Sequence, residues 1–222
     1  MSGSEGMAMC GRFVMLTYDE VVDVIRSIQM DTPYIIEPDW PARRPSAYPG
    51  SIVPIITPDE GLLVPQDLKW GFEVEWRKGL VFNTRIDLAL GPKAGMWKKP
   101  IAEGRCIVAT AGFFEPHASE TIRSSRTGKE IKRQYFFETP GNHPTFLAAV
   151  RNENAFSVVT TEPNRWVSPI HDRMPIVLER QDIPLWLEGD FETLADRSRT
   201  VLEAAPVDEL EAAERPAQQQ LF

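Results

Sequence analysis

The sequence predicts an α+β fold: one β-rich domain of short, mostly antiparallel strands, barrel-like, flanked by a few helices. Three observations carry this. Seven short apolar runs recur along the chain with turn signals between them. Strong helical periodicity appears once, near the start. Both ends are polar and rich in small residues. The chain has 222 residues, 42% of them hydrophobic, which suffices for one core and argues for a single domain.

Residues 1–9 form an extension expected to be disordered or removed. Cys10–Leu16 reads as a short buried strand. Thr17 and Glu20 have capping-box spacing, and Val21, Val24, Ile25 and Ile28 follow at helical intervals, so a helix should run to about Gln29. Prolines at 33, 38, 41, 45 and 49 make residues 31–51 an irregular or disordered loop. Strands are expected at 52–56, 80–83, 105–114, 134–138, 145–150, 156–161 and 175–178. Pro58-Asp59-Glu60-Gly61 and Thr139-Pro140-Gly141-Asn142 mark turns, and polar residues 117–132 read as a long hairpin loop. Short helices are expected around Leu185-Trp186-Leu187 and near 191–203. The domain should span 10–203, with 204–222 a disordered tail.

Composition narrows the function classes. The net charge of −8 weighs against nucleic acid, because phosphate binding rests on Lys and Arg, although a local basic groove can coexist with an acidic exterior. No apolar run is long enough to span a bilayer, and the first residues lack the pattern of a signal peptide, so a cytosolic location is expected. Two cysteines make no disulfide framework, and they show no metal-ligand spacing with His117, His143 and His171. No metal or other cofactor is expected, and a monomer is the default.

Cys10 is the residue with the most specific chemistry. If the bond before it is cut, it carries an α-amine and a thiol on adjacent carbons. An aldehyde can form an imine with that amine, and the thiol can close the imine into a five-membered thiazolidine. An α-amine ordinarily titrates at about 7.7–8.0, against about 10.4 for lysine, so far more of it is unprotonated near neutrality. The blander reading is a small buried hydrophobe. Three other segments place polar groups at strand ends: Asn83-Thr84-Arg85, Gly112-Phe113-Phe114-Glu115 and His171-Asp172-Arg173-Met174-Pro175. A glutamate closing an apolar strand can be desolvated into a useful acid/base range, or simply be solvated. His171 reads equally as an acid/base or as an ordinary loop histidine, and Asn83 as a turn cap.

In combination these elements are specific. CGRF, then WGF (Trp70-Gly71-Phe72) with Trp76, then NTR, GFFE and IHDRMP resemble, in order and spacing, the SOS response-associated peptidase family, from Cys10 to about Leu187. The resemblance implies an abasic-site sensor that cross-links to single-stranded DNA, in a bacterial, nucleoid-associated setting. It implies Cys10 as nucleophile, Glu115 as proton shuttle, His171 as the group assisting sugar-ring opening and Asn83 as a residue that hydrogen-bonds near the linkage. It implies Arg12 and Arg85 as phosphate contacts, Trp70 and Pro49 as base wedges, and Thr160 as a backbone contact. Ser46 stands where the family has an asparagine, Leu88 where it has a threonine, and Phe113 where tryptophan is commoner.

The nine residues before Cys10 depart most from the pattern. Either Met9 is the true start, or the protein cuts its own Met9–Cys10 bond. Two other function classes stay open: a cysteine peptidase or amidohydrolase, and a non-covalent single-stranded DNA binder. Separately, the chain ends Gln218-Gln219-Gln220-Leu221-Phe222, which resembles peptides that dock in the bacterial sliding clamp.

Overall fold

The computed structural model describes residues 10–36 and 44–207. Strand β1 (Arg12–Met15) leads into helix α1 (Tyr18–Gln29), whose start has the expected cap: Thr17 Oγ1 accepts the Glu20 N–H, and Glu20 accepts the Thr17 N–H. Strand β2 (Ser46–Ala47) follows, then the hairpin of β3 (Ile52–Asp59) and β4 (Leu62–Trp70). Glu60 and Gly61 turn that hairpin with φ of 46° and 80°, the left-handed pair a two-residue primed turn needs. Pro65 disguises β4 in the sequence, but eight cross-strand pairs with β3 hold it in place.

Strand β5 (Asn83–Arg85) and helices α2 (Ile86–Ala89) and α3 (Lys98–Glu103) precede β6 (Arg105–Arg123), β7 (Glu130–Glu138), β8 (Thr145–Arg151) and β9 (Ala155–Thr161). Two-residue strands β10 (Met174–Pro175) and β11 (Val177–Leu178), helix α4 (Ile183–Leu187) and β12 (Glu203–Val207) complete the described chain. Among the described residues, twelve strands share one sheet. Its path β6–β3–β4–β9–β8 returns to β6, so the sheet closes into a ring. Most pairings are antiparallel, with β4 and β5 parallel to β9.

Several expectations change. Residues 117–132 are not one long loop: β6 and β7 continue as a two-stranded arm with a turn at 124–129. The run 80–83 is mostly irregular, with a bridge from Val81 to Phe72, and the strand comes later, at 83–85. Of the helix expected near 191–203, only a short 3-10 turn at Phe191–Ala195 forms. Order extends past residue 203, because β12 pairs with β7 through Val207. Residues 37–43 of the proline-rich segment, the extension 1–9 and the terminal Gln218-Leu221-Phe222 motif lie outside the described residues. Among the described residues no helix is long and apolar enough to cross a membrane.

Strand alternation divides the core into two. Val14, Ile56, Ile107 and Phe114 pack on one face, with α1 and α4. Phe13, Ile55, Val108 and Phe113 pack on the other, with Cys10, Trp70 and Phe156. Along β6 the parity switches: 106 and 108 face the second cluster, and so do 113 and 115. A bulge accounts for it, since Phe13 pairs with Phe113 but Met15 with Thr110. Thr110 Oγ1 reaches the Val14 carbonyl and the Gly112 carbonyl and N–H within this bulge. Gly112 is required there, because a Cβ would lie 2.1 Å from the Phe136 ring and 2.5 Å from the Phe137 carbonyl oxygen. The bulge turns Glu115 inward.

Candidate active site around Cys10

Cys10 sits just before β1 and is fully buried, as is Glu115. The Cys10 nitrogen lies 3.1 Å from each Glu115 carboxyl oxygen. Strand pairing sets this up: Arg12 faces Phe114 in the ladder, so the chain just ahead of β1 runs beside Glu115, and the Cys10 nitrogen, two residues before Arg12, meets its carboxyl group. Asn83, at the start of β5, donates from Nδ2 to the Cys10 carbonyl oxygen at 3.4 Å. Both ends of the Cys10 backbone are thereby held by side chains from distant strands.

His171 is buried too. Its Nδ1 lies 3.1 Å from the Arg173 carbonyl oxygen and 3.2 Å from the Arg173 nitrogen, so the ring is fixed by one backbone unit. Nε2 is buried without a hydrogen-bond partner among the described residues. A buried polar nitrogen costs free energy when unpaired, so this atom is suited to a ligand oxygen. The His171 segment is anchored to the Glu115 strand: the Ala118 N–H donates to the Ile170 carbonyl at 2.8 Å. Ala118 lies in a second bulge, 117–120, where His117 Nδ1 accepts the Ser119 and Glu120 N–H groups.

The electrostatics follow from burial. Burial, and then the charge of Asp172, push the Glu115 carboxyl well above its ordinary range, while the Cys10 N–H pulls it back. Burial first, then Glu115, push the Cys10 thiol up. A resting thiolate is therefore disfavoured, and the neutral thiol is the ground state. Burial also pushes the Cys106 thiol up, and that residue packs in the core as a structural cysteine.

The expected DNA-contacting residues divide. Arg12 is half-buried; its Nε donates to Ser46 Oγ at 3.0 Å, and its guanidinium lies 4.2 Å from the Phe114 ring centre. Ser46 thus braces an arginine. Arg85 is exposed at the end of β5 and pairs with Asp87 at 2.7 Å. Asp87 also takes Arg173 at 3.1 Å, which ties this strand end to the His171 segment. Pro49 is half-buried in the turn before β3.

Trp70 and Thr160 do not fit their expected contact roles. Trp70 is 0% exposed, donates from its indole to the Phe82 carbonyl at 3.0 Å, and packs against Phe13 with ring centres 4.5 Å apart. It supports the core behind Cys10 and has no face to offer a base. Thr160 is 0% exposed, and its hydroxyl points at the Thr84 carbonyl. The exposed aromatic of residues 71–82 is Trp76, at 71%. Sequence reasoning gives Thr110, Gly112 and the 117–120 bulge no role, although Gly112 stands in the GFFE motif.

The family model "SOS response associated peptidase (SRAP)" matches residues 9–217. Abasic site processing protein YoqW of Bacillus subtilis is 25% identical over 210 residues, covering 92% of this chain and 91% of that protein. Abasic site processing protein YedK of Escherichia coli is 27% identical over 194 residues, covering 82% and 81%. A phage-related protein from Bordetella bronchiseptica superposes with a TM-score of 0.61 at 20% identity, covering 90% of this chain and 95% of that one. A second B. bronchiseptica protein superposes with a TM-score of 0.64 at 17% identity, covering 90% and 100%. The two structures share the fold, and the family match spans the folded domain with the Cys10–Glu115 pair inside it: the chain belongs to the SOS response associated peptidase family.

Proposed function

We propose that the protein captures abasic sites in single-stranded DNA by forming a thiazolidine between the ring-opened sugar aldehyde and an N-terminal Cys10. The observation that carries this reading is the Cys10 nitrogen held 3.1 Å from both oxygens of a buried carboxyl group. A thiol peptidase would call for an activated thiolate, and here burial and Glu115 disfavour one. An aldehyde trap needs a nucleophilic nitrogen beside a proton shuttle, and the same geometry suits that.

The steps balance. The free α-amine attacks the aldehyde carbon, and a proton passes through Glu115 to give a carbinolamine. Glu115 protonates its hydroxyl, water leaves, and an imine forms. The Cys10 sulfur then attacks the imine carbon, and the thiol proton is relayed to the ring nitrogen. Aldehyde and aminothiol become thiazolidine and one water. Asn83 fixes the Cys10 carbonyl, and so the approach of amine and thiol. His171 Nε2 supplies a hydrogen-bonding atom for the sugar oxygens. Arg12, Arg85 and Pro49 serve as DNA contacts, with the exposed Trp76 as the stacking aromatic.

The same pair suits release of residues 1–9. If the Cys10 thiol passes its proton to Glu115 as Sγ attacks the Met9 carbonyl, so that no resting thiolate is needed, Glu115 can hand a proton on to the leaving group, the Cys10 nitrogen. Water then hydrolyses the thioester. Relatives named for abasic site processing support the DNA reading.

The test is a denaturing gel after incubation with an abasic single-stranded oligonucleotide. A heat-stable shifted band is expected, lost in Cys10→Ala. A shift on native gels alone would favour a non-covalent binder, and peptide turnover without any shift would favour a peptidase. We further propose that Gln218, Leu221 and Phe222 tether the protein to a sliding clamp, two apolar anchors suiting a hydrophobic pocket. Purified clamp should retain the full chain and lose the Leu221→Ala/Phe222→Ala variant; equal retention would dispose of the tether.

A further inference from the structure

The acidic chain carries a basic arm beside its candidate site. Beyond Glu115, β6 and β7 run on as a two-stranded ribbon, paired from Thr121–Lys132 to Arg123–Glu130. Residues 117–133 hold five cations (Arg123, Arg126, Lys129, Lys132, Arg133) and two carboxylates, a net +3 in a protein of −8. One of the two carboxylates is turned back on the arm's base: Glu120 accepts the Tyr135 hydroxyl at 2.9 Å and faces Arg133 at 3.9 Å. Arg126 and Lys129 stand exposed at the turn and form no ion pair among the described residues. Charge beyond about 8 Å is largely screened at physiological salt, so the arm's local sign matters more than the distant acidic surface.

The ribbon leaves the very strand that aims Glu115. Counted along β7 from Tyr135, opposite Glu115, to Glu130, five residues at about 3.4 Å place the turn roughly 17 Å from the site. Thr121, Lys132, Arg123 and Glu130 share one face, and Ile122 and Ile131 the other, so the arm presents a polar, cationic side along its length.

We infer that this arm is a sequence-independent clamp on the DNA backbone, in which Arg126 and Lys129 contact phosphates flanking the strand held at Cys10. The inference rests on the DNA-binding part of the proposed function. It also answers the objection raised by net charge: affinity is concentrated in a projecting ribbon.

The test uses the full chain and an undamaged single-stranded oligonucleotide, which offers no aldehyde, so the outcome is independent of Cys10 chemistry. Fluorescence anisotropy across a salt series is measured for the wild type, Arg126→Glu/Lys129→Glu, and Lys93→Glu/Lys98→Glu, which makes the same charge change outside the arm. The arm variant should bind at least about ten-fold more weakly at low salt. Its log–log salt dependence should be shallower by about 1.4, the value for two lost phosphate contacts on a single strand. Unchanged affinity, or an equal loss in the Lys93/Lys98 variant, overturns the arm. No binding by the wild type would instead remove the DNA reading itself, and thermal midpoints confirm that the turn variants fold.

Discussion

Glu115→Gln slows cross-linking by about 10²–10⁴-fold, the usual contribution of a positioned acid/base, and at the same time stabilises the fold. The two effects have one origin. Glutamine keeps the shape and can still accept the Cys10 N–H, but it cannot shuttle a proton. It also carries no charge into a fully buried site. Because burial raises the folded-state value, the native protein keeps a proton on Glu115 at pH values where the unfolded chain has already released it. Stability therefore falls as pH rises from the ordinary carboxylate range through the raised value. The variant's thermal midpoint should exceed the wild type's at pH 7–8 by some 2–4 °C for each 1 kcal/mol of relieved burial. The gain should shrink towards the ordinary carboxylate range, about pH 4.3, and vanish below it, where both states of the wild type are protonated. Single-turnover gels and thermal unfolding at matched pH measure the two effects. A variant that loses activity and stability together would make Glu115 a structural residue.

That pairing of high cost and high use explains what is legible in the sequence. Thr17 and Glu20 announce α1, because a capping box is local chemistry. Cys10, Asn83, Glu115 and His171 are legible as a set only through order and spacing. Each alone has an ordinary reading, and the contact between Cys10 and Glu115 spans 105 residues. Gly112 is visible, but its purpose is not: the bulge that re-aims Glu115 exists only once β1 and β7 lie on either side of β6. Trp70 misleads because an aromatic beside a turn looks the same whether it faces solvent or the core. Its indole partner, the Phe82 carbonyl, is twelve residues away, across an irregular excursion. The arm reads as a loop because charged residues on a two-sided, solvated ribbon show no alternation of apolar and polar positions.

Blocking the Cys10 nitrogen should abolish capture altogether, a larger effect than any side-chain change around it. An amide nitrogen has no available lone pair, so a chain that keeps one residue ahead of Cys10 cannot form the imine, however well its thiol and Glu115 are placed. Two preparations test this: one beginning at Cys10, and one with a single retained residue, both verified by intact mass. The first should show a heat-stable cross-link to the abasic oligonucleotide, the second none above background. Cys10→Ser with a free amine separates the two nucleophiles. Its nitrogen can still condense, so a product should appear only when borohydride reduces the imine. The wild-type product should need no reductant, because sulfur has already closed the ring. Cross-linking by the blocked form would place the reactive nitrogen elsewhere, on a lysine. In that case the 3.1 Å contacts between Cys10 and Glu115 would be a packing feature of the β1 entry. Capture confined to the free form would give those contacts their chemical meaning: the carboxyl group is set where a backbone nitrogen becomes an amine.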